Sequence, residues 1–193
     1  MKFIFTPHTY LNRSLRILLA TNALILMSAA MLGPIQALFV TEIGGDLLDA
    51  SFAAATFAVV AGITTLLIGR WTDRVKENEL IIVAGYTLIG IAFFLFLTVE
   101  TVADLLFVQI LLGLGEAIYS PAFDAVYTRH LTDGKTGSGW GAWEAMNYFM
   151  ITAGATVGGF IASRYGFDPL FIIMGTLSIS AAAYIYFLPR RVL

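Results

Sequence analysis

Three carboxylates interrupt the apolar stretches of this chain, and their chemistry is the first clue to function. Glu116 lies near the middle of one stretch, whereas Asp124 and Glu144 each lie about one helical turn from an end. An ionisable group in hydrocarbon is costly and usually marks a substrate or ion path. Glu116 is therefore predicted to bind a proton, a cation or a ligand. The alternative is a hydrogen-bonded carboxyl group that locks two helices together.

Other polar side chains follow helical spacing with these carboxylates and extend the predicted path. Asn22 and Gln36 are fourteen positions apart, which places them on nearly the same face of a continuous helix. They either contact a solute or hydrogen-bond between helices. The predicted substrate or ion path consists of Glu116, Gln109, Tyr119, Asn22, Gln36, Glu144 and Asn147.

Enzyme chemistry is not expected from these residues. The chain has no cysteine, so thiol catalysis, disulfides and thiolate metal sites are excluded. The two histidines, His8 and His130, lie outside the apolar stretches. Gly113-Leu114-Gly115-Glu116 faintly resembles the G-x-G-D sequence of membrane aspartyl proteases, but no second aspartate is available on a facing helix. No cofactor, metal site or nucleic-acid partner is predicted.

Six apolar stretches must position the polar groups. A chain with 59% hydrophobic and 12% charged residues is not an ordinary soluble domain. Each stretch approaches or exceeds the ~20 residues that a helix needs to cross a bilayer, and the absence of two-residue alternation favours helices over a barrel. The predicted spans are Leu15–Val40, Ala50–Ile68, Leu80–Val99, Leu105–Phe123, Ala142–Ala162 and Pro169–Leu188.

The basic residues predict the orientation of these spans. Ten of the eleven Lys and Arg residues fall on one side of a six-span chain, and Arg164 alone falls on the other. The positive-inside rule therefore predicts that both termini are cytoplasmic. The first span is too long for a signal peptide and is interpreted as a retained anchor. We expect one transmembrane domain over residues 1–193, in the plasma membrane, which is the inner membrane of a bacterium.

Prolines and glycines suggest how the spans are arranged. Pro34 and Pro121 are predicted to kink the first and fourth spans, and their matching positions hint at an inverted three-plus-three repeat. Gly154 and Gly158 permit a close helix approach, either within the subunit or between subunits. The third and sixth spans carry no charge and are predicted to face lipid.

One short motif carries a resemblance to a known family. The turn after the second span reads Gly69-Arg70-Trp71-Thr72-Asp73-Arg74, which resembles the G-x-x-x-D-R signature of the major facilitator superfamily of secondary transporters. The run Gly154-Ala155-Thr156-Val157-Gly158-Gly159 is similar to the G-P-x-x-G-G of its antiporters, with Ala155 in place of proline. Gln109 stands where proton-coupled members commonly have arginine.

The resemblance implies an all-α fold and transport by alternating access, with the motif residues Gly69, Asp73 and Arg74, together with Asp124, in gating. Asp124 is otherwise expected to snorkel or to pair with an arginine. Glu116 would carry a proton if transport is proton-coupled. The solute would be a small molecule, amphipathic or sugar-like.

Length is the main departure from the family, whose members generally have twelve helices in two parallel halves. A lone half would expose polar stripes to lipid, so the resemblance implies a parallel homodimer. Its contact would use the second and fifth spans, with Gly62, Gly154 and Gly158 at the interface. The alternative is that the chain is the N-terminal half of a longer transporter and needs another half to function.

Overall fold

The computed structural model describes residues 11–189 and 192, and the regular elements of this part of the chain are all helices. The described residues contain six helical spans that are long and apolar enough to cross a membrane, as the sequence predicts, and the first of them, Arg13–Glu42, combines α1, a 3₁₀ turn and α2. Lys2, His8, Arg190 and Arg191 lie outside the described residues. The helices are α1 (Arg13–Leu32), α2 (Gln36–Glu42), α3 (Leu47–Thr72), α4 (Asn78–Leu95), α5 (Val102–Arg129), α6 (Thr136–Tyr165) and α7 (Phe167–Tyr186), with 3₁₀ turns at Gly33–Ile35 and Phe96–Thr98.

Local sequence signals explain where two of the long helices begin. At the start of α3, the Asp46 carboxylate accepts from the Leu48 and Asp49 amides, and the Asp49 carboxylate accepts from the Asp46 amide. Thr101 and Asp104 form the same reciprocal capping box at the start of α5. Each pair satisfies amide groups that a helix leaves unpaired at its first turn. These capping boxes therefore determine where α3 and α5 begin after the polar connections that precede them.

The two predicted proline kinks have different outcomes. Pro34 lies in the 3₁₀ turn that separates α1 from α2, so the first span is interrupted there. Pro121 lies inside α5, which continues as one α-helix to Arg129. The matching proline positions therefore do not produce matching breaks.

The order in which the helices pack reveals the internal repeat more directly than the prolines do. The main contacts join α3 to α5, α5 to α4, α4 to α7, α7 to α1 and α1 to α6. In terms of spans, this order is second, fourth, third, sixth, first and fifth. When the first, second and third spans change places with the fourth, fifth and sixth, the same order results, read from the other end. Three crossings reverse the direction of the chain, so the two units are inverted, as the three-plus-three repeat requires.

The core lies where α4 and α7 meet the other helices. Phe39 of α2 makes edge contacts with Phe96 and Phe171, which stack on each other with ring centroids 4.8 Å apart. The third and sixth spans, which are α4 and α7, therefore contribute mainly to the core, and the prediction that they face lipid is wrong in this respect. These two helices bury a large share of their residues, whereas α3 and α6 are the least buried helices.

Three glycines allow close contact with the backbone of a neighbouring helix. A Cβ atom on Gly113 would lie 2.7 Å from the Phe57 carbonyl oxygen of α3. On Gly154 it would lie 2.7 Å from the Met27 carbonyl oxygen of α1, and on Gly158 it would overlap the Met31 backbone. Gly154 and Gly158 therefore pack against α1 of the same chain, which is the first of their two alternatives.

This geometry predicts that alanine substitutions at two adjacent glycines have very different effects on stability. Gly158→Ala should lower the stability of the protein by about 1–3 kcal/mol, because the new methyl group forces α1 and α6 apart. A Cβ atom on Gly159 would meet nothing within 4 Å, so Gly159→Ala should be neutral or stabilising by up to about 1 kcal/mol through helix propensity. Thermal unfolding in detergent measures both effects. Equal melting temperatures for the two variants would contradict the α1–α6 contact.

Candidate functional site: a cavity between α1, α3, α4 and α5

A cavity of about 210 Å³ collects three of the predicted path residues. It lies between α1, α3, α4 and α5, at the point where the first span is interrupted. Gln36, Gln109 and Glu116 supply its polar groups, and apolar side chains supply most of the remaining wall. The full lining consists of Ile25, Ala29, Leu32, Gly33, Gln36, Ala54, Phe57, Ile89, Phe93, Gln109, Leu112 and Glu116.

Gln36 is the most unusual of the three polar residues. The 3₁₀ turn at Gly33–Ile35 ends where α2 begins, which places Gln36 in the cavity wall. Its Nε2 atom is buried and has no hydrogen-bond partner. A buried donor without a partner costs about 1–3 kcal/mol. Gln36 is thus a residue of the cavity wall whose buried amide nitrogen has no hydrogen-bond partner within the described residues.

Glu116 is the only ionisable residue among the described residues that line the cavity. It lies seven positions after Gln109 on α5, and seven residues are close to two helical turns, so both side chains share one face. The hydroxyl group of Tyr119 interacts with the Glu116 carboxyl group. No basic side chain contributes to the described cavity wall, so the carboxylate faces amides, a hydroxyl and apolar groups.

Asn22 belongs to a network beside the cavity and does not line it. Its Nδ2 donates to the Tyr86 hydroxyl over 3.1 Å, and its Oδ1 accepts from Trp143 Nε1 over 2.9 Å. Asn22 is only 1% exposed, and the Tyr86 and Tyr119 rings meet edge to face with centroids 4.9 Å apart. Asn22 therefore links α1 to α4 and α6 through hydrogen bonds. Of its two predicted roles, solute contact or hydrogen bonding between helices, this is the second.

Asn22 and Gln36 have different surroundings, because Gln36 lines the cavity and Asn22 belongs to the buried network. The α-helix between them is interrupted by the 3₁₀ turn at Gly33–Ile35. That the two side chains share one helix face stays a prediction. Tyr119 is likewise a core residue next to the cavity, with 4% of its surface exposed. The predicted path residues of the first and fourth spans are thus divided between a cavity wall and a buried network.

Glu144 and Asn147 lie apart from this cavity on α6. Asn147 is half-buried one turn after Trp143, and Glu144 is exposed. The main contact of α6 is with α1, and no α6 residue lines the cavity. A solute in the cavity therefore does not touch these two residues within the described part of one chain.

The motif after the second span forms a compact helix end. Asp73 is the C-cap of α3, and its backbone amide donates to the Gly69 carbonyl over 3.3 Å. The Arg74 amide donates to the Trp71 carbonyl over 2.9 Å. The Asp73 and Arg74 side chains are exposed, as is Asp124 near the same end of α5. The backbone of the turn is thus bonded locally while its charged groups face outward.

Several residues were not predicted from the sequence in the roles that the structure gives them. Tyr86 and Trp143 complete the Asn22 network, and Phe57, Ile89 and Phe93 form much of the cavity wall. A tyrosine in an apolar span needs a partner for its hydroxyl group, which was an available signal for Tyr86. The apolar wall residues carry no comparable signal, because lipid-facing and cavity-facing positions use the same side chains.

Comparison with known proteins agrees with this architecture. The family described as Major Facilitator Superfamily matches residues 18–192. The chain is 25% identical over 182 residues to multidrug resistance protein MdtG of Salmonella typhimurium, an alignment that covers 90% of this chain and 44% of the relative. The protein of the same name from Klebsiella pneumoniae is 24% identical over 175 residues, with coverages of 86% and 41%.

MdtG of Yersinia enterocolitica is 23% identical over 182 residues, with coverages of 90% and 43%. The chain thus spans less than half the length of the curated relatives it matches. The described residues form six helical spans with the length and composition to cross a membrane, and the family match covers most of the chain. The chain therefore belongs to the major facilitator superfamily of membrane transporters.

Proposed function

We propose that this chain is one six-helix half of a secondary transporter for small solutes, which works by alternating access together with a second half. The observation that carries the proposal is the cavity of about 210 Å³ with the unpartnered Gln36 amide and the lone Glu116 carboxylate. Polar groups left unsatisfied inside a membrane bundle are costly and mark solute or ion sites. Membership of a transporter family supports the same function.

The need for a second half rests on the two helices at the ends of the packing order. In α3, a helix of 26 residues, only Ala53 and Thr72 are buried, and in α6 the buried residues are three glycines. The exposed Glu144 of α6 lies more than two turns inside the helix, where contact with lipid would be costly. A second half over α3 and α6 would remove this cost.

A second copy of the same chain is the leading candidate for that half, in a parallel homodimer related by a two-fold axis. The contact would use the exposed face of α3, where Gly62 has open space around it and lies beside the exposed Val59, Ile63 and Leu66. Gly154 and Gly158 are not part of this revised interface, since they pack on α1. The alternative is a different six-helix half, which the 44% coverage of longer relatives favours.

The start of α6 supports a gating contact between the halves. Lys135 at the N-cap provides no side-chain hydrogen bond, and the first turn contains no acidic residue. The exposed Gly137 and Ser138 leave room for an approaching group. A helix N-terminus favours an anion. Asp73 of the partner subunit would fill this position, and the contact would break when the halves rock.

The cavity chemistry favours a small amphipathic solute. The relatives are named multidrug resistance proteins, which agrees with a mainly apolar wall that carries a few polar groups. Gln36 and Gln109 would orient the solute through hydrogen bonds, and Glu116 would bind a proton or a cationic group. By its resemblance to the family, Gln109 stands where proton-coupled members commonly have arginine, so Glu116 would perform the coupling without a basic neighbour in the described cavity wall.

Proton coupling through Glu116 predicts the behaviour of an isosteric variant. In proteoliposomes with an imposed pH gradient, Glu116→Gln should lose the gradient-driven part of solute transport by at least about tenfold, a loss of about 1.4 kcal/mol. Downhill exchange of the same solute should persist, because the amide keeps the shape of the cavity. Glu100→Gln, at an exposed connection, is the matched control. Equal responses of the parent and Glu116→Gln to the gradient would exclude this role.

The homodimer predicts a specific cross-link, and the absence of native cysteine makes the measurement clean. Ile63 lies nine residues before the end of α3, and Ala145 lies nine residues after the start of α6. Both side chains are exposed and lie at the same depth, about 14 Å from the helix ends. The double variant Ile63→Cys/Ala145→Cys should form a covalent dimer upon oxidation in membranes.

The double variant Ile91→Cys/Ile172→Cys provides the control, since it places cysteines on exposed positions of α4 and α7, away from the proposed interface. It should remain monomeric under the same oxidation. Cross-linking of the control alone, or of neither variant, would contradict the homodimer and favour a different second half.

A further inference from the structure

A second groove lies far from the transport cavity, between the start of α1 and the end of α7. Its volume is about 470 Å³. Arg13, Arg16, Ile17 and Ala20 form the α1 wall, and Tyr184 forms the α7 wall. The groove opens on the membrane face that carries the described ends of the chain, here called the termini face. None of these residues belongs to the proposed transport path.

The α1 wall changes from charged to apolar with depth. Arg13, Arg16, Ile17 and Ala20 have the spacing i, i+3, i+4 and i+7, which places them on one face of the helix. The two arginines lie in the first turn at the termini face, and Ala20 lies about two turns beyond Arg13 and one turn beyond Arg16. A phospholipid presents the same sequence of groups, with a phosphate at the surface and an acyl chain beneath it.

The charge of the groove is one-sided. Arg13 and Arg16 are exposed, and no acidic residue among the described ones lines the groove or lies in the first turn of α1. Both cations also lie at the positive end of the α1 dipole, a position that favours an anion instead. The Arg16 Nε atom donates to the Leu11 carbonyl over 3.0 Å, which fixes the guanidinium group and uses only one of its five N–H donors.

We propose that this groove binds a phospholipid with an anionic headgroup, such as phosphatidylglycerol. Its phosphate accepts hydrogen bonds from Arg13 and Arg16, and one acyl chain lies over Ile17 and Ala20 against the Tyr184 ring. Two arginines without an acidic neighbour in the described groove favour a headgroup with net negative charge over a zwitterionic one. Tyr184 suits the boundary, because its ring is apolar and its hydroxyl group can reach polar headgroups.

Native mass spectrometry of the detergent-purified full chain tests this proposal. The protein is mixed with equal amounts of phosphatidylglycerol and phosphatidylcholine of identical acyl chains, and retained lipid is counted. Each basic residue near an anionic headgroup contributes about a fivefold preference, so two arginines should give about 25-fold for phosphatidylglycerol. Arg13→Gln/Arg16→Gln should lose this preference, and Arg13→Lys/Arg16→Lys should keep most of it.

Two further variants separate the groove from general surface charge. Arg129→Gln/Lys135→Gln removes two exposed basic residues at the same membrane face but outside the groove, and should keep the preference. Ala20→Phe fills the groove without changing charge, and should lose retained lipid of both kinds. Because lipid is added after purification, a variant inserted in the opposite orientation in the cell still gives a valid result.

Several outcomes would overturn the proposal. Equal retention of the two lipids by the parent chain excludes an anionic headgroup site. Equal losses in the groove and control arginine variants mean that binding reflects diffuse surface charge. If residues 1–10 of the chain fill the groove, Ala20→Phe and the arginine variants retain as much lipid as the parent. Binding of inorganic phosphate alone, without retained lipid, excludes the acyl-chain contact.

Discussion

A polar group inside a membrane must find its partner within the protein, because hydrocarbon offers none. Most of this chain obeys that constraint by local means. Thr21 and Thr72 donate to carbonyl groups of the preceding helical turn, and Ser28 and Ser178 bond each other across α1 and α7 over 3.1 Å. Asn22 uses both ends of its amide on two other helices. The Gln36 amide is the exception among the described side chains, because its buried nitrogen atom has no hydrogen-bond partner.

The same constraint connects the internal repeat to the proposed second half. The packing order leaves α3 and α6 at its two ends, so each of them contacts chiefly one neighbour. Lipid can cover apolar side chains such as Ile63 and Leu66 without cost, and their exposure alone requires no protein partner. Glu144 is different, because a carboxylate on an exposed helix face needs water, a cation or another polypeptide. This one residue makes the case for a second half stronger than the exposed apolar surface does.

The sequence predicted the spans and the family because both depend on local signals. Apolar runs of about 20 residues give the six spans, and Asp73 and Arg74 fall in a motif at a fixed position. Which neighbour a helix contacts depends on the tertiary arrangement, and no local pattern contains that information. Gly154 and Gly158 therefore left two alternatives open, and the third and sixth spans were assigned to lipid by their lack of charge. The buried faces of those two spans are apolar too, so composition alone could not distinguish core from lipid.

The composition of the cavity was predicted in part for the same reason. Gln36, Gln109 and Glu116 were identified because a polar side chain in an apolar span has to have a function or a partner. The sequence could not show that Asn22 has partners while Gln36 has none, since those partners, Tyr86 and Trp143, come from distant parts of the chain. The 3₁₀ turn at Gly33–Ile35 lies between Asn22 and Gln36, so the two residues are not part of one uninterrupted α-helix.

The internal bonding also constrains how the proposed transport cycle can work. Asn22 joins α1, α4 and α6, while Gly113, Gly154 and Gly158 hold helix pairs at backbone contact. Packed interfaces of this kind have few intermediate arrangements, so the six helices are expected to move as one body. Exposure of the cavity to alternate sides then has to come from motion against the second half. The exposed Asp73 and the start of α6, where the N-cap residue makes no side-chain hydrogen bond, are the groups proposed to meet across the two halves during that motion.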